Sequence, residues 1–371
     1  MCLKHTMEKK LYPLKFIPIA SRRPWGGNSL VCKIGKKFIE IGEDGQETEI
    51  PSDEIIGESW ELADMGAQDS VIANGWLAGN TIGDVMETYL ERVVGDRVFE
   101  WYGTQFPLLV KFLDIEGKLS VQVHPDDVVG AERYDSLGKA EVWYILDAKP
   151  DAKIYMGFAK DVTAQEFYDA CKSGTADRLL NVIHPQKGDV IYINPGTVHA
   201  AEGGIMVCEI QESSDLTFRL YDWGRELDPA TARKMHLDEA IDLIDFRKYD
   251  PVAYTPASSR KAPARETTTV YPVADCPQFT VNRIVLNDAM SVSTEDLDSF
   301  VVYCCIKGEV SLQMPDDNGI VRDCRLYSGD TVLVPAECPQ FVLSPVSKDS
   351  ELIESVTHPP QETDSYVEST K

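Results

Sequence analysis

The chain has 371 residues, of which 43% are hydrophobic and 26% are charged, and these fractions exclude a disorder-dominated protein. Its 61 acidic residues outnumber the 36 lysines and arginines. The formal net charge of -25 argues against nucleic acid as a partner, because such a surface repels phosphodiester backbones. An anionic ligand would therefore need a local cluster of basic residues. The length exceeds a single typical core and predicts two domains.

Cysteine spacing and the search for targeting segments indicate the redox state and the location of the protein. The nine cysteines form no CxxC pair and no metal-binding spacing, so we interpret them as reduced packing residues. The first residues lack the apolar core of a signal peptide, and no apolar run reaches membrane-spanning length. We therefore expect a cytoplasmic protein without a membrane partner.

In chain order, the first predicted elements are short strands at 11–69, where apolar runs alternate with Gly and Pro. A helix follows, with Thr81 as its candidate N-cap and Gly95 as its end. Strands return after Pro107, and a second helix opens at Thr163 with the spacing of a capping box. Helices are thus expected to decorate a β core.

The later elements repeat this mixture. Strands are predicted from Gly188 to about Tyr221, and Asp228-Pro229 announces a further helical segment. A stretch rich in Pro, Ala, Ser and Arg follows at 251–268 and indicates a linker. Short strands dominate beyond it.

One polar strand face and two later residues predict a metal site. The run Ser-Val-Gln-Val-His places Ser120, Gln122 and His124 on the same face, because strand side chains alternate. Glu141 heads a β-prone run, and His199 follows a turn. Two imidazoles, a carboxylate and an amide are a suitable ligand set for a divalent metal.

An internal repeat supports two related domains. The run Gly188-Asp-Val-Ile-Tyr-Ile-Asn-Pro has a counterpart in Gly329-Asp-Thr-Val-Leu-Val-Pro. Counting on from each glycine, the position of His199 in the first copy is held by Gln340 in the second. We interpret the copies as two related β-barrels, of which only the first binds a metal. Two chance Gly-Asp turns before apolar strands are the alternative.

At these residues the chain resembles the cupin superfamily and, within it, the shorter bacterial branch of the type I mannose-6-phosphate isomerases. The resemblance spans essentially the whole chain and weakens after residue 260. Each motif alone is weak, but six in family order are specific. The motifs are Arg23-Pro-Trp-Gly-Gly27, Gly57-Glu-Ser-Trp-Glu61, Leu119-Ser-Val-Gln-Val-His-Pro-Asp126, Gly138-Lys-Ala-Glu141, Pro195-Gly-Thr-Val-His199 and Glu209-Ile-Gln-Glu-Ser-Ser-Asp-Leu-Thr-Phe-Arg219.

This resemblance implies a mainly β fold with two cupin-type jelly-roll β-barrels and helical insertions in and after the first. The expected division is a catalytic metal-binding domain at 1–250, a linker at 251–268, a metal-free C-terminal cupin domain at 269–348 and a flexible tail at 349–371.

The resemblance also implies one zinc ion per chain, held by Gln122, His124, Glu141 and His199. The strand pattern described above predicted a metal site at the same four side chains. Zinc in catalytic sites keeps a position open for water or substrate. The same ligands would also suit iron, manganese or cobalt.

The family reaction interconverts mannose 6-phosphate and fructose 6-phosphate through an enediol, and it implies an active-site arginine at Arg219. Because arginine stays protonated, we expect it to steady a developing oxyanion or to position substrate. Glu209 and Lys139 are the candidate bases. We expect nearby positive charge to lower the pKa of Lys139, which lies two residues before a metal ligand.

The substrate phosphate requires cations or hydroxyl donors, for which Ser120 and Lys111 are the candidates. Ser120 shares the face of Gln122 and His124, and Lys111 interrupts an apolar strand. The alternative for Lys111 is a side chain that reaches solvent at a strand end.

Two other function classes remain open from the sequence. A cupin with two histidines and a carboxylate could be a non-haem iron oxygenase, although Lys139 and Arg219 argue against it. A catalytically silent sugar-phosphate-binding protein of the same lineage is the other alternative. The sequence leaves the oligomeric state undetermined.

Overall fold

The computed structural model describes residues 9–41, 46–230, 232–250, 254–257 and 267–358, and strands dominate these ranges, as the sequence predicted. None of their helices reaches the length and apolarity needed to cross a bilayer. The strands are β1 Leu14–Lys15, β2 Ile19–Ser21, β3 Ile39–Ile41, β4 Glu47–Glu49, β5 Glu58–Leu62, β6 Leu108–Ile115, β7 Val121–Val123, β8 Glu141–Ala148, β9 Lys153–Phe158, β10 Leu180–Ile183, β11 Val190–Ile193, β12 His199–Glu202, β13 Ile205–Glu212, β14 Phe218–Tyr221, β15 Tyr254–Thr255, β16 Thr269–Asp275, β17 Phe279–Leu286, β18 Met290–Ser293, β19 Val301–Lys307, β20 Glu309–Pro315, β21 Val321–Tyr327, β22 Thr331–Val334, β23 Gln340–Pro345 and β24 Ser350–Thr357.

Short helices lie between the strands. The α-helices are α1 Ser29–Cys32, α2 Ile82–Tyr89, α3 Glu91–Val94, α4 Asp96–Tyr102, α5 Asp127–Tyr134, α6 Ala164–Lys172 and α7 Leu237–Ala240. Single 3₁₀ turns occur at Gly75–Leu77, Ala176–Leu179, Arg225–Leu227 and Ile241–Leu243.

The chain forms two compact units. The central unit comprises the described residues of 16–83 and 106–263, and the terminal unit comprises those of 1–15, 84–105 and 264–371. The central unit contains a seven-stranded sheet of order β15-β11-β8-β13-β6-β5-β2 and a five-stranded sheet of order β10-β9-β12-β7-β14. The terminal unit contains a six-stranded sheet, β1-β22-β19-β24-β17-β16, and a four-stranded sheet, β18-β23-β20-β21.

The middle of the seven-stranded sheet is the antiparallel pair β6 and β13. Their register runs over eight residue pairs, from Ile205 opposite Ile115 to Glu212 opposite Leu108. All eight positions of each strand are buried. Strands covered on both faces read as continuous apolar runs instead of alternating ones, so the few polar residues in them are conspicuous.

The two large sheets of the central unit share a core. Trp143 and Ile191 of the seven-stranded sheet belong to the same buried cluster as Ile154, Met156 and Ala201 of the five-stranded sheet. Each of these side chains is nearly inaccessible to solvent. The apolar faces of the two sheets therefore pack against each other, which is the layer arrangement of an all-β domain.

Helix α6 covers a second core cluster and confirms the predicted capping box. Thr163 accepts the backbone N–H of Glu166, while the Glu166 carboxylate accepts the backbone N–H of Thr163. Phe167 and Cys171 are buried beside Phe158. Reciprocal capping satisfies two donors that the first helical turn leaves without partners.

The terminal unit contains more of the chain than the sequence indicated. Strand β1 pairs with β22, with Leu14 opposite Leu333. The backbone N–H of Ala336 donates to Val93 O, which ties the 84–105 segment to the same unit. The contiguous domain at 1–250 was therefore wrong at these two segments, because strand pairing joins residues that lie far apart in sequence.

The expected linker and tail also contain ordered strands. β15 pairs with β11, with Tyr254 opposite Ile191, so residues 254–255 are part of the seven-stranded sheet. β24 pairs with both β17 and β19, and Ser350 at its start is fully buried. The flexible tail was thus wrong for Ser350–Thr357, in which Leu352 and Ile353 are fully buried. Residues 258–266 and 359–371 of those two segments lie outside the described ranges.

Two predicted helices are shorter than expected. The helix from Thr81 to Gly95 breaks at Leu90, whose φ of 52° cannot continue a right-handed helix. Gly95 has φ of 94°, and a Cβ there would collide with the backbone of Asp298. After Asp228-Pro229, helical geometry begins only at Leu237.

Candidate metal centre and active site

Three elements of the central unit bring two histidines and a glutamate together. His124 follows β7, Glu141 opens β8, and His199 opens β12. Their candidate ligand atoms all lie within 4.8 Å of one another, and all three side chains are buried. In the five-stranded sheet His199 pairs directly with Gln122, which explains how residues 77 positions apart meet.

Backbone carbonyls set the proton positions on both imidazoles. His124 Nδ1 lies 2.9 Å from Leu216 O, and His199 Nδ1 lies 3.0 Å from Thr197 O. A carbonyl only accepts, so each Nδ1 carries the proton and each Nε2 keeps its lone pair. Burial lowers the pKa of His124 to about 3 and also lowers the pKa of His199. Both rings are therefore neutral at pH 7.

The lone pairs converge on a carboxylate. His124 Nε2 is 3.4 Å from Glu141 Oε1, and His199 Nε2 is 3.7 Å from Glu141 Oε2. Burial alone would raise the pKa of Glu141, but the charge of Lys139 holds it well below its ordinary value. Neither imidazole supplies a proton to the ionised carboxylate, so three electron-pair donors face one another.

Two buried atoms of this cluster lack hydrogen-bond partners. Within the described ranges, no group pairs with His124 Nε2 or Glu141 Oε2. A buried polar atom without a partner costs free energy, and a divalent cation would satisfy both atoms at once. Two imidazole nitrogens and a carboxylate match the ligand chemistry of such a cation. The three residues thus fit a metal.

Gln122, the fourth predicted ligand, lies beside this cluster. Its Nε2 is 3.2 Å from His199 Nε2, and its Oε1 accepts a hydrogen bond from Ser120 Oγ at 3.3 Å. The amide thus contacts one histidine of the cluster. Ligation by Gln122 stays a prediction.

A polar pocket of about 220 Å³ adjoins the cluster. Seven of the nine predicted site residues line it, and His124 and His199 lie next to it within the buried cluster. The lining residues are Arg23, Trp25, Glu58, Lys111, Leu113, Leu119, Ser120, Gln122, Lys139, Glu141, Trp143, Glu209, Asp215, Thr217, Arg219 and Arg233.

Lys139 lies among carboxylates. Its Nζ lies 3.0 Å from Glu141 Oε1 and 3.4 Å from Thr217 Oγ1. Burial lowers the pKa of Lys139, but Glu141, Glu209 and Asp215 together raise it above its ordinary value. The predicted lowering depends on a cation bound at the neighbouring Glu141, so it stays a prediction for the metal-loaded site.

Glu209 is a buried carboxyl with a fixed orientation. Its Oε1 accepts the indole N–H of Trp143 at 2.7 Å, and its Oε2 lies 3.5 Å from Lys111 Nζ. Burial and the Glu141 charge raise the pKa of Glu209 to about 7, against the opposing effect of Lys111. A carboxyl with this pKa can both release and accept a proton at neutral pH.

Lys111 is buried and does not reach solvent at a strand end. Its Nζ donates to Gln211 Oε1 at 2.8 Å and lies 4.9 Å from the centre of the Trp60 ring. The ammonium group is therefore held between the Glu209 carboxylate, an amide and an aromatic face.

Arg219 lies at another part of the pocket lining, opposite Gln122 in the β7–β14 register. Its Nη1 donates to Lys234 O at 2.9 Å, and its buried Nε has no hydrogen-bond partner in the described part of the chain. Burial and, after it, repulsion from Arg233 lower the pKa of Arg219 to about 10.

Several lining residues were not predicted as site residues. Arg23 and Glu58 lie in the first two sequence motifs, and Asp215 and Thr217 lie in the last, so their motif positions were an available signal. Arg233 lies in no motif and carries no spacing signal.

The chain is similar to known proteins in sequence and in fold. The family model described as phosphomannose isomerase type I, catalytic domain, matches residues 23–154. A putative mannose-6-phosphate isomerase of Bacillus subtilis is 30% identical over 333 residues, covering 89% of this chain and 95% of the relative. A mannose-6-phosphate isomerase of Streptococcus mutans is 34% identical over 314 residues, covering 85% and 89%.

The crystal structure of mannose 6-phosphate isomerase from Bacillus subtilis is similar to this one, with a TM-score of 0.77 and 29% identity over 93% of this chain and 99% of that chain. This likeness confirms the expected cupin fold. The chain belongs to the type I phosphomannose isomerase family.

Proposed function

We propose that this chain is a mannose-6-phosphate isomerase that interconverts mannose 6-phosphate and fructose 6-phosphate. The observation that carries the proposal is the buried His124, Glu141 and His199 cluster beside a polar pocket that contains a carboxyl with a pKa of about 7. Relatives named for this activity support the substrate pair. The cytoplasmic location expected from the sequence is part of the proposal.

The proposed metal is one zinc ion, held by His124, Glu141, His199 and, as fourth ligand, Gln122. When bound, zinc supplies a Lewis acid that polarises a sugar carbonyl. The unpartnered Nε2 of His124 and Oε2 of Glu141 support this assignment. The central unit is accordingly the proposed catalytic domain, and the terminal unit the proposed metal-free cupin domain.

Glu209 is the proposed proton-transfer group. Its carboxylate takes the proton from C2 of the open-chain aldose, the C–H electron pair forms the C1=C2 double bond, and the carbonyl electron pair moves to O1. Return of that proton to C1, with transfer of the O2 hydroxyl proton to O1, gives the ketose. A pKa of about 7 matches the operating pH in both directions.

Lys139 and Arg219 are proposed to stabilise the negative charge on the enediol oxygens. The raised pKa of Lys139 keeps its ammonium charged, which favours this role over that of a base. Fixed cations that already point into the pocket need no reorganisation as the charge develops.

The test is a coupled assay of fructose 6-phosphate formation from mannose 6-phosphate, with metal content measured in parallel by mass spectrometry. We expect one zinc per chain, activity lost to chelator and activity restored by zinc. Binding of the sugar phosphate without turnover would instead indicate a silent binding protein. Oxygen consumption with bound iron would indicate an oxygenase.

A further inference from the structure

The pocket gathers cations in a chain whose formal net charge is -25. These cations differ in how far their charge is already balanced. A cation without a carboxylate of its own has the most charge available for a phosphate dianion, so these pairings indicate which residue binds the phosphate. The lining cations are Arg23, Lys111, Lys139, Arg219 and Arg233.

Arg23 and Lys111 have their own carboxylates. Arg23 donates Nε and Nη2 to the two oxygens of Glu58 at 2.9 and 3.0 Å, a bidentate pair. Lys111 lies 3.5 Å from Glu209 and donates to Gln211. Lys139 is likewise paired with Glu141, as described above. Each of these three cations thus already has a carboxylate of its own within 3.5 Å.

The other arginines outnumber their carboxylate. Arg225 and Arg233 both donate to Asp222 Oδ1 at 2.6 Å, and Arg233 Nε donates to Oδ2 at 3.0 Å. The Asp222 side chain is completely buried. Among the described residues, no carboxylate lies within ion-pair distance of Arg219, while Arg233 and Arg225 both lower its pKa. Three guanidinium groups thus share one carboxylate.

Arg233 and Arg225 use their donors differently. Arg225 Nη2 contacts both Asp222 and Lys118 O, and Arg225 does not line the pocket. Arg233 lines the pocket, and its Nε and Nη2 are held by Asp222, which leaves Nη1 for a ligand. A planar guanidinium with one edge fixed is well suited to a phosphate oxygen.

We propose that Arg233 binds the phosphate group of the substrate and that Asp222 positions it. This inference rests on the proposed isomerase function and deepens it. A phosphate monoester carries nearly two negative charges at pH 7, which suits the two guanidinium groups of Arg219 and Arg233 in the pocket lining. Arg219 stands opposite Gln122 and interacts with Arg233, so the sugar would extend from the metal cluster past Arg219 to Arg233. Lys111, the cation that the sequence favoured, is charge-matched by Glu209 instead.

The test measures binding of fructose 6-phosphate by calorimetry to the full chain and to R233Q, R233K and R225Q. A charged hydrogen bond of this kind predicts that R233Q weakens binding roughly 10- to 100-fold. R233K should be intermediate, since it keeps the charge but loses the fork. R225Q is the matched control, because Arg225 contacts the same carboxylate outside the pocket, and it should change affinity less than about threefold.

The same variants are assayed for turnover. We expect KM to rise in R233Q by more than kcat falls, and R233K to recover part of that loss. Unchanged affinity in R233Q, or an equal loss in R225Q, would overturn the inference. Should R233Q fail to fold, R233K decides. Wild-type affinity in R233K would overturn the inference, because a lysine cannot keep two donors on Asp222 and offer a third to the phosphate. Wild-type protein that binds but does not isomerise would refute the proposed function while leaving the Arg233 assignment standing.

Discussion

Trp143 donates its indole N–H to Glu209 Oε1 at 2.7 Å, and the same ring forms a T-shaped contact with His199, with ring centroids 5.9 Å apart. The β8–β13 register places Trp143 directly opposite Glu209. The strand that begins with the metal-cluster residue Glu141 carries Trp143 two residues later. Trp143 in turn orients Glu209, the proposed proton-transfer group. One strand pairing therefore couples the metal cluster to the acid-base residue.

Removing that indole donor should shift the pH dependence of catalysis. In W143F the Glu209 carboxylate loses a hydrogen bond that favours its charged form, so its pKa should rise above about 7. We expect the acid limb of the kcat/KM profile to move to higher pH by roughly one unit. W60F is the control, because Trp60 donates to Glu58 and not to Glu209. An acid limb at the wild-type pH in W143F would contradict this coupling.

E209Q should abolish the acid limb itself. The amide cannot accept the C2 proton, and we expect kcat to fall roughly 100- to 10,000-fold. In the wild type, activity should rise with pH as Glu209 ionises near pH 7, since burial, the largest cause of its raised pKa, persists whatever the charge on Glu141. The measurement is a pH profile of kcat/KM for both proteins. Comparable turnover in E209Q would assign the proton transfer to another residue.

Strand alternation and motif order predicted the candidate cluster because His124, Glu141 and His199 each lie at a strand end, where local sequence fixes direction. The pKa of Lys139 was not predictable in that way. Its shift comes first from Glu141, two residues along the chain, and then from Glu209 and Asp215, which long-range pairing brings close and local spacing does not reveal.

Two further features of the structure could not be predicted from the sequence, because they also depend on long-range contacts. Arg233 lies in a segment expected to be helical, and only its ion pair with Asp222 places it at the pocket. The sequence of residues 84–105 predicts a helix but does not show which sheet the helix packs against. The place of this segment in the terminal unit therefore follows from tertiary contacts alone.

H199A and R219A should separate metal binding from substrate chemistry. His199 belongs to the metal cluster, so H199A should lose zinc and turnover together. Arg219 is outside that cluster, so R219A should retain zinc while kcat falls roughly 100- to 1000-fold, the cost of one lost oxyanion donor. Zinc content and kcat are measured on the same preparations. Equal zinc loss in both variants would show that the two roles are assigned wrongly.

E212Q should stabilise the protein at alkaline pH. Burial and Asp127 raise the pKa of Glu212 to about 9, while its Oε2 accepts the Ala140 N–H at 2.8 Å. Between the ordinary pKa of 4.5 and about 9, the folded state binds more protons at Glu212 than the unfolded state, so the free energy of unfolding falls as pH rises. Glutamine keeps the hydrogen-bond pattern without titrating, so E212Q should gain up to about 1.4 kcal/mol per pH unit over the wild type in this window.

E166Q provides a control of opposite sign for this stability effect. Hydrogen bonds from Thr163 lower the pKa of Glu166, so its contribution is present above the ordinary pKa of 4.5 and is lost as pH falls. E166Q should therefore lower the unfolding midpoint by a constant amount between pH 6 and 8, whereas the E212Q difference should grow steadily. Midpoints of thermal unfolding at pH 5, 6, 7 and 8 distinguish the two. A pH-independent difference for E212Q would mean that Glu212 is already ionised in the folded protein. Glu212 and Asp127 would then share no proton, against the raised pKa of Glu212.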